Sequence, residues 1–127
     1  DVAVYLPASA YSSDNIVKHA DLFEGVHVVV SPVSIDGTKE RDEFIRKLNL
    51  DKTNNQSLIH KAIGYDNLHI VAEVLRKNSD TSKFAEEFSS FGLFKGAAGE
   101  YNLNSRYIGV SLVSAIFTKG KLQTVTD

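Results

Sequence analysis

The side chains able to do acid–base or metal chemistry in this chain are four histidines, sixteen carboxylates and a handful of hydroxyls in suggestive places. His19, His27, His60 and His69 show no H-x-x-x-H spacing. His60 and His69 are nine positions apart, which at about 100° per residue sets them on opposite faces of a helix. A zinc site needs converging ligands, so the histidines read as solvated or core-edge residues. Carboxylates cluster at Asp36, Glu40, Asp42 and Glu43. Paired acids can divide acid–base work, but these alternate with Lys39, Arg41, Arg46 and Lys47, the pattern of a salt-bridged, solvated helix face. Glu86 and Glu87 read the same way. No G-x-S-x-G elbow gives any serine a nucleophile's setting. Gly120-Lys121 lacks the rest of a phosphate loop, and Gly96-x-x-Gly99 is half of a dinucleotide fingerprint with no helix behind it. Asn55-Gln56-Ser57 matches a glycosylation sequon, which matters only in a eukaryotic secretory route.

The elements that must position these residues come from a chain of 127 residues and 14.0 kDa, enough for one domain with its own core. Its 43% hydrophobic and 24% charged residues exclude disordered and low-complexity classes. A net charge of −2 supplies no field to draw nucleic acid or an anionic membrane. With no cysteine, disulfides, thiolate metal sites and cysteine nucleophiles are excluded, and an oxidising compartment is compatible. No apolar run approaches the 18 residues or so of a membrane span. The opening DVAVYLPASA has neither a basic n-region nor a long apolar stretch, and no initiating Met precedes it. The chain therefore reads as part of something longer.

Val2 to Leu6 predicts a buried strand ended by Pro7. Residues 8–14 are small and polar, a loop, and Ser12 or Ser13 would cap a short helix through His19. Val26 to Val30 is the strongest strand signal, bounded by Gly25 and Pro32. A helix is expected from about Thr38 to Leu48, with Phe44, Ile45 and Leu48 inward and Arg41, Glu43 and Lys47 toward water. The longest helix runs from about Ser57 to Lys77, with a broad apolar stripe and Gly64 inside it; that glycine either permits close packing or breaks the helix in two. Asp80 or Thr81 caps a further helix through Ser90, with Phe84, Phe88 and Phe91 inward and Gly92 as its stop. Tyr107 to Phe117 and Leu122 to Val125 form a hairpin around Lys119-Gly120-Lys121. The expected order is β-α-β-α-α-α-β-β.

The segment from Phe94 to Arg106 resembles a signature of type I periplasmic solute-binding proteins, the branched-chain amino-acid receptors of ABC transporters. Phe94, Gly96 and Gly99 match the pattern, Tyr101 or Leu103 fills its apolar slot, and Lys119-Gly120-Lys121 stands where the family turns its last hairpin. Asn and Ser residues replace the usual acid and later glycine. Glu24-Gly25-Val26 with its valines, Asp42-Glu43-Phe44-Ile45, and Gly64-Tyr65-Asp66 followed by Ile70, Ala72 and Leu75 are similar to three further family stretches, in the family's order.

The resemblance implies an α/β fold, part of a type I periplasmic-binding-protein with Rossmann-like lobes. Residues 1–127 would correspond to the C-terminal part of a two-lobe protein, crossing the hinge near Val26 to Ser31 and returning in the final hairpin. It implies an extracytoplasmic solute-binding component of an ABC uptake transporter, periplasmic or extracellular, soluble or lipid-anchored. Such a protein would bind an amino-acid-like small molecule by hinge closure, with ABC permease subunits as partners, no cofactor and no catalysis. A ligand-sensing regulatory domain of the same fold is the alternative, and a small α/β enzyme or nucleotide-binding domain the third. In the receptors a carboxylate after the first of these strands holds the solute's ammonium; counting back from Glu24-Gly25 without gaps puts that position at Ala8. A buried ammonium without its carboxylate is costly, which sets Ala8 against a plain α-amino acid and leaves Ser9 and Tyr11 as hydroxyl donors. Apolar helix positions such as Ile63, Ile70 and Val74 would lack their usual sheet, so the chain alone is expected to self-associate.

Overall fold

In the computed structural model, residues 5–7, 18–50, 55–105 and 108–125 are described. Two cores form in one chain. The first is a four-stranded sheet in the order β1-β2-β5-β6. Strand β2 (His27–Val30) is central to it, as its β-branched run dictates. Strand β1 (Tyr5–Pro7) pairs with it in parallel, Pro7 opposite Val29, and β5 (Val113–Thr118) pairs antiparallel, Val30 opposite Val113. Strand β6 (Lys121–Thr124) closes a hairpin with β5. Its two turn residues, Lys119 and Gly120, have φ of 51° and 77°, the paired left-handed geometry whose twist suits a two-residue hairpin loop. Val28, Val30, Ile35, Ala115, Phe117 and Leu122 are buried here. A short helix, α1 (Ala20–Phe23), brings Phe23 edge-on to Phe117 at 6.2 Å.

After β2 the chain passes through a 3-10 turn at Pro32–Ser34 into the second core. Helix α2 spans Lys39–Leu48, and Asn49 ends it in the left-handed conformation, φ 49°. Helix α3 runs unbroken through Asn55–Lys77, so Gly64 interrupts nothing. Asp80 accepts from the Ser82 amide at 3.0 Å, caps a turn at Thr81–Lys83 and leads into α4 (Phe84–Ser90). The Ser82 hydroxyl, which also donates to Asp80 at 2.7 Å, and the Ser82 amide together hold the Asp80 carboxyl below its usual range. A second hairpin follows, β3 (Leu93–Lys95) with β4 (Glu100–Asn102). Phe44, Ile45, Leu58, Ala62, Ile70, Val74, Tyr101 and Leu103 fill this core, with Phe84, Phe88 and Phe91 packed at its margin.

The expected order is present with this extra hairpin added. Four details differ from expectation. Arg41 is buried rather than solvated, for a reason given below, while Leu48 is 41% exposed. The last hairpin begins at Val113, because Val110 makes only an isolated bridge to Tyr101 and the stretch before β5 serves as a return crossing. Ile70 and Val74 are buried within the chain's own second core; the apolar residues left open on α3 are Leu68 and Val71. The cap proposed at Ser12 or Ser13 lies outside the described residues.

Candidate functional site

The C-terminal ends of β1 and β2 lie side by side, since their parallel register ends with Pro7 opposite Val29. In open α/β sheets the ends of parallel strands are where ligands bind. Just beyond, Ser31 to Thr38 crosses from the sheet to the helices. Val33 turns its side chain into the helical core and Ile35 turns back into the sheet core, so the crossing is pinned at both ends. Arg41 explains its own burial here. Its guanidinium donates to the Val33 carbonyl at 2.9 Å and pairs with Asp36 Oδ1 at 3.0 Å. A buried guanidinium is tolerable only when so partnered. Thr38 Oγ1 donates to the Ile35 carbonyl at 3.1 Å, so its hydroxyl braces the crossing instead of capping α2.

The crossing is also tied to α3 through the β3–β4 turn. Asp66, 1% exposed in the middle of α3, accepts hydrogen bonds from the Ala97 amide at 2.7 Å and the Ala98 amide at 2.8 Å. The Tyr101 hydroxyl donates to it at 3.0 Å. Ala98 in turn accepts through its carbonyl from Ser31 Oγ. A relay therefore runs from α3 to the turn to the crossing. Burial and the facing Asp66 carboxylate push the Tyr101 phenol well above its ordinary range, because ionising it would place a second negative charge in a closed site.

This arrangement accounts for Gly96-x-x-Gly99. A Cβ on Gly96 would fall on the Asp66 carboxylate, and one on Gly99 would overlap Val110 and the Ser111 carbonyl, at a φ of 145° that L-residues avoid. The glycines let a turn close onto a buried acid.

Between the two cores lies a recess of about 280 Å³, lined among others by Pro32, Thr38, Lys95, Glu100, Val113 and Thr124. Lys95 and Glu100 sit directly opposite each other on the β3–β4 hairpin. One cation, one anion and the Thr124 hydroxyl in an otherwise mostly apolar lining can orient a small molecule by charge and hydrogen bonding. Ala8, Ser9 and Tyr11, expected at the ligand site, lie outside the described residues. Among the described residues no group of three His, Asp or Glu side chains could hold a metal ion.

Arg41, Ser31 and the role of Asp66 escaped sequence reasoning. Asp66 was visible as the lone charge in an apolar stretch of α3, a position that demands a partner. Arg41 gave no such signal, since it stands in an ordinary charged run.

No family model matches the chain, and no curated protein does. Two solved structures do. One, assigned as a branched-chain amino acid ABC transporter from Rhodospirillum rubrum, overlaps with a TM-score of 0.78 at 15% identity, over 98% of this chain and 37% of that one. The other, a leucine binding protein, LivK, from Thermotoga maritima, overlaps with a TM-score of 0.61 at 19% identity, over 98% of this chain and 36% of that one. The chain thus has the fold of part of a type I periplasmic solute-binding protein, and it spans little more than a third of these relatives' length. Both are described by transport or binding, neither by catalysis. Among the described residues no helix is long and apolar enough to cross a membrane.

Proposed function

We propose that residues 1–127 form the C-terminal part of a two-lobe solute-binding component of an ABC uptake transporter, which holds a small amino-acid-like molecule between its lobes and makes or breaks no bond. The observation that carries this reading is the pair of cores in one chain. One is the sheet and the other the helices, joined by the Ser31–Thr38 crossing and the return near Ser111, with a recess between them that is mostly apolar and carries Lys95 and Glu100. The likeness to two transport proteins over 98% of the chain supports it. In a protein of this design, solute bridging both lobes stabilises a closed form that membrane subunits of the transporter recognise. Periplasmic or extracellular placement follows from that role. The braced crossing is suited to transmitting lobe rotation, because Arg41, Thr38 and the Asp66 relay fix its shape while the lobes move about its ends.

The position counted to Ala8 supports a solute other than a plain α-amino acid, and Ser9 and Tyr11 would contribute hydroxyls to it. Native mass spectrometry of the full-length protein should reveal a co-purified small molecule. Calorimetric titration with leucine, isoleucine and valine should give weak binding or none. Submicromolar leucine affinity would refute the place given to Ala8. Turnover of any substrate, with no solute bound, would refute the transport reading as a whole.

A further inference from the structure

The chain passes between its two cores twice, outward through Ser31–Thr38 and back through the stretch that ends at β5. No residue belongs to both cores. The β3–β4 turn touches both passages at consecutive residues. The Ala98 carbonyl accepts from the Ser31 hydroxyl on the outward passage. The Glu100 carbonyl accepts from the Ser111 amide, at 2.7 Å, on the return. Gly99 stands between them. A Cβ built there would lie 2.8 Å from Val110 Cγ2, 2.9 Å from the Ser111 carbonyl oxygen and 3.3 Å from Pro32 Cδ. One glycine is thus packed against both passages at once, at a φ that favours glycine as well.

On its other side the turn is fixed to the helices. Asp66 of α3 holds the Ala97 and Ala98 amides, and Ala98 and Tyr101 are buried in the helical core. The passages it touches are fixed to the sheet. Val30 of β2 pairs with Val113 of β5; Ser31 directly follows the first, and Ser111 stands two residues before the second. A buried hydroxyl needs a partner, and Ser31, 2% exposed, takes one from the other core. Between the sheet end and the helices there is therefore one layer of backbone, as thick as a glycine. Close-packed contacts of this kind resist gradual deformation, so that thickness fixes the angle at which the cores meet. The recess lined by Pro32, Gly99, Glu100, Val113 and Thr124 lies on the same junction, and its width follows the angle.

We propose that the β3–β4 turn is the spacer that sets the angle between the two cores, with Gly99 and Ser31 as its positioning residues. The proposal concerns the chain's own geometry and stands or falls apart from any solute. Because the chain has no cysteine, nitroxide labels can be placed at Ser89→Cys on α4 and Gln123→Cys on β6, both exposed and one on each core. Pulsed electron spin resonance on the doubly labelled 127-residue chain should give one narrow distance. Gly99→Ala, which thickens the spacer, should shift that distance. Ser31→Ala, which unties the outward passage, should broaden the distribution about the same mean. Gly64→Ala, where an added Cβ meets nothing within 4 Å, should change neither. Ile45→Val, which thins the helical core alone, should lower stability in urea titrations yet leave the distance where it was. Circular dichroism checks that the variants stay folded, and if Gly99→Ala does not fold, Ser31→Ala decides. Folded Gly99→Ala and Ser31→Ala chains with the native distribution would overturn the proposal. So would an Ile45→Val chain whose distribution changes as much as theirs, since the angle would then report stability and not the spacer.

Discussion

Replacing Asp66 by Asn keeps the shape of the side chain and removes its ability to accept on both oxygens. In the native protein two oxygens receive three donors, the amides of Ala97 and Ala98 and the Tyr101 hydroxyl. Hydrogen bonds to a charged acceptor contribute about 1.5–3 kcal/mol each. In the better of its two orientations the Asn oxygen keeps Ala98 and Tyr101, at the strength of neutral bonds, while its NH2 group faces the Ala97 N–H. One bond is lost and two are weakened, so Asp66→Asn should destabilise by about 3 kcal/mol. That is a large share of the roughly 10 kcal/mol expected for a domain of this size. Urea unfolding followed by circular dichroism measures it. A second arm uses Gly96→Ala, whose Cβ would fall on the same carboxylate. Overpacking costs about 1–3 kcal/mol, but in an Asp66→Ala background the space is free. The double-mutant cycle should therefore show a coupling of about 1 kcal/mol or more. A loss below about 1 kcal/mol for Asp66→Asn, together with strict additivity in the cycle, would refute the claim that this acid holds the turn.

Three further outcomes follow from the same geometry. The Tyr101 phenol is raised above its ordinary range when folded, so its contribution is fully present below the unfolded phenol pKa of about 10 and is lost as pH rises toward the folded value. Absorbance at alkaline pH should show one phenol ionising only as the fold is lost, a feature that disappears in Tyr101→Phe. Arg41→Lys should destabilise nearly as much as Arg41→Met, by about 2–3 kcal/mol, because a lysine cannot reach both the Val33 carbonyl and Asp36 with one planar fork; full rescue by lysine in thermal melts would contradict the clasp. Ser34 Oγ is buried with no hydrogen-bond partner, so Ser34→Ala should leave stability unchanged or raise it by about 1 kcal/mol in urea titrations; a marked loss would mean the hydroxyl is satisfied.

Strand β2, helices α2 and α3, the Asp80 cap on the turn before α4 and the last hairpin were legible from the residues, because each rests on local rules. Five β-compatible residues between Gly25 and Pro32 can do little but extend. Sustained apolar spacing over 23 residues makes a helix that one glycine does not break. The capping acid at position 80 and the turn at 119–120 act on neighbours within three positions. The four ordered family stretches also pointed to the right fold, which the solved relatives share at 15% and 19% identity.

The hairpin of β3 and β4 was not legible, since strands of three residues carry too little periodicity to register. Nor was the site. Asp66 finds its partners 31, 32 and 35 positions away, and Ser31 bonds a carbonyl 67 positions distant. Arg41 sits in a run of charges that reads as solvent-facing, and only the return of Val33 and Asp36 over it makes it a buried clasp. The open face of α3 was hidden for the opposite reason. Its apolar residues were plain in the sequence, but apolar character all around a helix does not say which side meets the chain's own core. Local propensity acts between neighbours and is written in the order of residues. Burial and polar partnership depend on which distant segments meet, and that is decided only when the chain closes on itself.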